Sequence, residues 1–365
     1  EGRAVTLEPL PIPLSFAGAG AGAAELLAVM EGGGLMPVQA PAGAPQDEDQ
    51  GPVEIKPGIP VGAVFVTGDM ELAATGTLTW VDGDRIAAFG HSMFGAGDLR
   101  APLALGKALV VVPSLSRSFR ITSTGKIIGS ITQDREAAIV GRLGEEAPMF
   151  PFSVRIGGAT DRQYHYKVAG YWQMLPMFTT IVAQYSSQRW EGERPNTLEA
   201  KARIWLKERP EPIELSNVFT SESPAAPVFE LLGMPLSALM TNPFEKVHVK
   251  SVDYELNVKK GFHAAYIRSV RLGRLRARPG SKVKLYVRLQ KWQGDEVIRT
   301  LEVQVPETAR PGSKAQVLVC DAMLNNMVAA RLDPGLFSPT SLDQLIETLQ
   351  STKSNRELIV RASFT

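Results

Sequence analysis

From Gly62 onward the chain runs in short apolar segments broken by glycine, aspartate and proline: residues 63–66, 76–81, 86–89, 108–112 and 127–128, with Asp82, Gly83 and Asp84 between two of them. Segments of that length between turn-forming residues predict the strands of a β-barrel or sandwich. A middle region follows, in which residues 164–168 and 200–206 alternate in strand fashion around an apolar stretch from Tyr171 to Tyr185. Ser223 and Pro224 suit the N-cap and first position of a short helix, whose apolar run Val228 to Leu232 is expected to stop at Gly233. Asn242-Pro243 marks a turn, and residues 247–258 alternate again.

Beyond residue 259 the pattern predicts strands at 265–272, 281–289, 297–305 and 315–319. Arg278-Pro279-Gly280-Ser281 and Arg310-Pro311-Gly312-Ser313 occupy equivalent turn positions, as in an immunoglobulin-like β module. Ser341 and Gln344 form a capping box, and Leu342, Leu345, Ile346 and Leu349 make one stripe of a terminal helix. Residues 358–364 read as a last strand. The chain is therefore expected to be mostly β, with residues 58–158 as a barrel or sandwich domain, 159–258 as a β-rich middle region with a short helix, and 259–365 as an immunoglobulin-like β-sandwich with one terminal helix.

The first 57 residues differ. A Gly-Ala repeat over 17–24 leads to Gly32-Gly33-Gly34 and an acidic segment at 47–49. No Gly-Lys-Ser/Thr follows the glycines, and acidic residues would repel phosphate, so this stretch reads as a flexible or surface-draped arm rather than a nucleotide loop.

Composition narrows the function classes. With 39 Lys and Arg against 38 Asp and Glu, the net charge of +1 provides no global field for nucleic acid or an anionic membrane, so a charge-driven partner must meet a local patch. Cys320 is the single cysteine, which excludes an intramolecular disulfide and a multi-cysteine metal site. The four histidines, at 91, 165, 248 and 263, form no close pair, so neither a metal nor another cofactor is expected. No apolar run is long enough to span a bilayer, and the acidic start Glu1-Gly2-Arg3 lacks the layout of a signal peptide.

The chemistry-bearing segment is Gly76 to His91, containing Gly76-Thr77-Leu78-Thr79 and Ala88-Phe89-Gly90-His91. It is followed by Ile128 to Arg135 and by Ile139 to Gly144. Together these resemble the SpoIVB-type serine peptidase family over roughly residues 58–158. The resemblance implies a chymotrypsin-like β-barrel, proteolysis, and a periplasmic or secreted location in bacteria. By position His91 matches the family's general base, which takes a proton from a serine hydroxyl. The family's Gly-Met-Ser-Gly-Ser-Pro-like nucleophile segment has no counterpart, because Gly-x-Ser-Gly occurs nowhere in this chain. Ser130, after Gly129, and Ser92 are the substitutes at hand, with Asp134 or Asp98 to orient the imidazole. The alternative is a structural histidine on a tight glycine turn.

A second constellation is basic: nine Lys or Arg and no acid lie between Arg268 and Lys291. Arg274, Arg276 and Arg278 alternate, as do Lys282, Lys284 and Arg288, so each set is expected to line one strand face. This stripe suits an anionic partner, or a solvated sheet face that discourages edge pairing. Two function classes follow: a non-catalytic binding or assembly protein of the cell envelope with a protein partner or larger assembly, and a serine endopeptidase working through His91.

Overall fold

The computed structural model describes residues 12–17, 35–40, 53–113, 119–158, 161–171, 173–189, 196–221, 223–332, 335 and 338–364. The fold is mostly β, as the patterning predicts. The chain divides into two compact units: Glu1–Glu191, Ala202–Ile213 and Val228–Leu256 make the first, and Gly192–Lys201, Glu214–Pro227 and Asn257–Thr365 the second.

Unit 1 begins with β1 (Ile12–Ala17) and β2 (Leu35–Ala40), which pair in parallel, while β1 also pairs antiparallel with β4 (Glu71–Asp82). Two segments read above as an arm are thus strands. The reason lies in Leu14 and Phe16, which alternate on one face of β1 and are almost wholly buried. Most of the Gly-Ala repeat and the acidic 47–49 segment lie outside the described residues.

β3 (Pro60–Gly68), β4, β5 (Arg85–Ala88), β6 (Gly97–Val112), β7 (Phe119–Arg135) and β8 (Ala138–Leu143) pair antiparallel in a closed cycle, β3–β6–β7–β8–β5–β4–β3. Each strand of the cycle has a neighbour on both sides, which removes the exposed edges that invite aggregation. Val64, Ala73 and Ala104 form a buried cluster from three of these strands. At Gly129 on β7 the Arg142 carbonyl oxygen lies only 2.1 Å from where a Cβ would stand, so this crossing of β7 and β8 admits no side chain.

β9 (Met149–Gly157) and β10 (Arg162–Ala169) extend the sheet from β3, followed by β11 (Asn196–Leu206), β12 (Ile213–Ser221) and β13 (Val249–Lys260), in the order β12-β11-β13-β9-β10-β3. The apolar stretch from Tyr171 contains a helix, α1 (Leu175–Gln188), longer than the single short helix expected of the middle region. Pro176 fits its first turn, and Thr179, Thr180 and Ser186 return their hydroxyls to carbonyls four residues back at 2.8, 2.6 and 2.8 Å. Buried nearly all round, the segment lacks the polar face that marks a helix in a sequence. Phe178 from α1 stacks on Phe65 of β3 with ring centroids 4.7 Å apart.

The helix expected to stop at Gly233 continues. α2 (Ala225–Val228) passes through a π-helical turn (Phe229–Gly233) into α3 (Met234–Met240). Met234 N–H donates to the Phe229 carbonyl, and the wide turn accommodates Pro235, which has no N–H. Gly233 serves packing rather than termination: a Cβ there would meet the Phe229 ring at 3.1 Å and Thr180 Oγ1 at 3.2 Å.

Unit 2 holds a three-stranded antiparallel sheet, β14 (Ala265–Leu272), β15 (Lys282–Lys291) and β16 (Glu296–Gln304), and a two-stranded pair, β17 (Ala315–Cys320) with β18 (Ile359–Phe364). These strands match the sequence expectation closely. Besides the terminal helix α5 (Leu342–Gln350) there is a second, α4 (Ala322–Leu332), which the expectation of one helix missed. α4 is apolar on several sides, with Met323 and Met327 exposed as well as Ala322 and Ala329 buried, so it shows no clean stripe. Ser341 Oγ accepts from Gln344 N at 3.2 Å, and Gln344 Oε1 accepts from Thr340 N at 2.8 Å, so the capping box reaches back one residue further than expected. The two Arg-Pro-Gly-Ser segments form the same turn: Ser281 and Ser313 each donate N–H at 3.1 Å and Oγ at 2.7 Å to the carbonyl of Arg278 and Arg310. Gly280 and Gly312, at φ +73° and +85°, take the left-handed position that a Pro-Gly turn requires.

Candidate functional site

The His91 turn in unit 1 starts with strain. Phe89 has φ +76°, a backbone conformation a bulky side chain rarely adopts, and Gly90 follows at +77°. Two contacts impose it. Phe89 N–H donates to the Thr77 carbonyl at 2.9 Å. The Phe89 ring also lies against Gly76, where a Cβ would meet Cδ1 at 2.3 Å. Gly76 and Phe89 are therefore a matched pair: the strand glycine makes room for the turn's ring.

The chain after His91 is anchored by Asp134 at the end of β7. Its carboxylate is buried and accepts from Met93 N (2.7 Å), Phe94 N (2.7 Å) and Ala96 N (3.3 Å). Three loop amides converge on one carboxylate, a charge-assisted arrangement that fixes residues 93–96. Met93 is buried, and the Phe94 ring packs at 5.6 Å from Phe65 and 6.0 Å from Tyr171. Burial, and after it the charge of Asp134, pushes the Tyr171 phenol well above its usual pKa. The Tyr171 hydroxyl donates to Gln173 Oε1 at 2.6 Å.

His91 itself is exposed. Its Nδ1–H donates to the Ser92 carbonyl at 2.7 Å, and its ring lies 6.0 Å from that of Phe89. Ser130 is fully buried and donates to the carbonyl of its neighbour Ile131 at 3.2 Å. Asp98 is exposed and pairs with Arg135 Nη2 at 3.1 Å. Among the described residues no hydrogen bond joins His91, Ser92, Ser130, Asp98 and Asp134 through their side chains, and no group of three His, Cys, Asp or Glu could hold a metal ion.

In unit 2 the basic residues divide into two sets. Lys282, Lys284 and Arg288 share the exposed face of β15, opposite the buried Val283, Leu285 and Val287, as the alternation predicts. Arg274, Arg276 and Arg278 do not line a strand: β14 ends at Leu272, and residues 273–281 form a loop. Gly273 N closes the ladder on the Lys284 carbonyl at 2.8 Å, and Pro279, which has no N–H to give, could not have continued it. Lys282 and Arg288 meet acids of β16, Glu302 at 3.4 Å and Glu296 at 3.7 Å.

Unit 2 also has an open cleft of about 1030 Å³ that the sequence reading missed, lined by Phe219, Phe262, His263, Trp292, Arg356 and Glu357. Phe262 meets Trp292 edge-on at 5.4 Å, and Tyr266 lies 6.2 Å from the same indole. The available signal was an unusual density of aromatic residues at the ends of β14 and β15. Compared with protein-family models, with curated proteins and with solved structures, the chain matches none.

Proposed function

We propose that this chain is a non-catalytic binding or assembly protein of the bacterial envelope, built on a serine-peptidase-like strand cycle whose histidine turn serves as structure. The observation that carries this reading is the use of Asp134. In a catalytic triad an aspartate oxygen accepts the imidazole Nδ1–H; here Asp134 accepts from three loop amides instead, and Nδ1–H is spent on the Ser92 carbonyl. Ser130, buried and turned to a backbone carbonyl, is withdrawn from substrate. The exposed sheet of unit 2 then supplies surface for partners. The periplasmic or secreted location belongs to the same proposal and follows from the family resemblance.

A second reading, a serine endopeptidase, has one observation in its favour. With Nδ1 protonated and tied to a carbonyl, Nε2 of His91 carries the lone pair, which is the tautomer a general base needs. Labelling with a fluorophosphonate probe, read by mass spectrometry, separates the two. The binding reading expects equal labelling of wild type and His91→Ala, at the background level of any surface serine. Labelling of one serine that disappears in His91→Ala would overturn it.

A further inference from the structure

The loop between β14 and β15 combines features that neither reading above uses. All of residues 273–280 are exposed. Within it Leu275 is 89% exposed, more than any other large hydrophobic side chain among the described residues. A lone exposed leucine is ordinary. This one stands between Arg274 and Arg276, with Arg278 two residues on, in a 24-residue span that holds nine basic residues and no acid.

The loop is also held in shape. At one end Gly273 N–H donates to the Lys284 carbonyl at 2.8 Å and Arg274 Nη2 to the Lys282 carbonyl at 2.7 Å. At the other the Arg278–Ser281 turn is closed by two hydrogen bonds to the Arg278 carbonyl. A loop fixed in this way loses little further freedom when it docks. Of the acids on β16, two are engaged in ion pairs. Glu302 pairs with Lys282 and Glu296 with Arg288, while Glu307 lies by Gly280. Arg276, Arg278 and Lys284 have no ion-pair partner among the described residues.

We infer that this loop docks the protein on an anionic lipid surface, with the arginines at the headgroups and Leu275 entering the acyl boundary. A basic cluster alone would suit any polyanion. The leucine decides for a bilayer, because an apolar side chain gains from a membrane interface and gains little from a solvated acidic polymer. The inference is independent of whether His91 is catalytic.

The test is co-sedimentation of the full chain with vesicles of phosphatidylcholine alone and of phosphatidylcholine with phosphatidylglycerol. Wild type should pellet only with the anionic vesicles, and less so as salt rises. With each basic side chain near the surface contributing about fivefold in partitioning, the combined Arg276→Ala and Arg278→Ala variant, which leaves the Arg274 bond to the Lys282 carbonyl in place, should lose about twenty-five-fold. Leu275→Ala should lose about tenfold while keeping the salt dependence. Because every altered side chain is exposed, all variants should melt with wild type, so loss of binding is not loss of fold. Binding to both vesicle types alike, or binding unchanged by either variant, overturns the inference. So does retention on soluble polyglutamate that competes with the vesicles and ignores Leu275, which would make the partner an acidic polymer.

Discussion

The strands of the two units meet water very differently. In β3, the six consecutive residues Val61–Val66 are buried; in β14, of eight residues, none is. The contrast follows from closure. β3 has neighbours on both sides within a cycle and packs against α1, while β14 has one neighbour, β15, and carries a register shift between Ile267 and Ser269. Such a bulge blunts a free edge against unwanted pairing. Unit 1 therefore keeps its side chains for its own core, and unit 2 presents many of them outward. Tyr266 and Val270 are both exposed there, as is the Leu275 loop.

The largest effect should come from breaking the closed core. Phe65→Ala removes a ring that is 0% exposed and packed against Phe178 and Phe94, and should destabilise unit 1 by about 3–5 kcal/mol in a chemical denaturation experiment. The matching change in unit 2 should be smaller. Gly280→Ala places a side chain at φ +73°, beside Glu307, and should lower the stability of unit 2 by roughly 1–2 kcal/mol while leaving the unit 1 transition in place. A single loss shared equally by both transitions would contradict the division into two units.

The two units should also respond oppositely to pH through one glutamate each. Glu71 is raised above its usual pKa by burial, against the lowering effect of Thr124 Oγ1, which donates to it. The folded state thus favours its protonated form, so its contribution is present below about pH 4.5 and is lost as pH rises through the raised folded value. Glu199 is lowered, first by the hydrogen bond from Lys259 Nζ at 2.6 Å and also by the charge of Arg356. Its contribution is present above that same unfolded value and is lost as pH falls. Melting curves across acidic pH should show Glu71→Gln stabilising unit 1 near neutrality, with the gain vanishing in acid. Glu199→Gln should destabilise unit 2 near neutrality, with the loss fading in acid. The effects are the smallest of the set because both groups keep some contact with water.

What the sequence disclosed depended on range. Turn chemistry is local, so the two Arg-Pro-Gly-Ser turns, the Ser341 cap and the strands of unit 2 were legible residue by residue. The pairings that complete the cycle were not, because β5–β8 and β3–β6 join segments far apart in the chain. The helix α1 was hidden by its uniformity, since a segment buried all round carries no period to read. At the candidate site, the sequence singled out His91, Ser130 and Asp134 but not their relations. Asp134 lies 38 to 41 residues from the amides it binds, and only the β6–β7 register brings it to them. The basic stripe was half legible: alternation holds for Lys282, Lys284 and Arg288 on β15, whereas the same spacing at Arg274, Arg276 and Arg278 falls in a loop that Gly273 begins and Pro279 helps to turn.

Asp134, not His91, governs the turn at residues 93–96. Amide hydrogen exchange at Met93, Phe94 and Ala96 tests it directly in wild type, His91→Ala and Asp134→Ala. Removing a carboxylate that serves three amides, two of them at 2.7 Å, should cost about 2–4 kcal/mol of local protection in Asp134→Ala. Exchange in His91→Ala should match wild type. Faster exchange in His91→Ala, or undiminished protection in Asp134→Ala, would contradict the account and return the turn to chemistry.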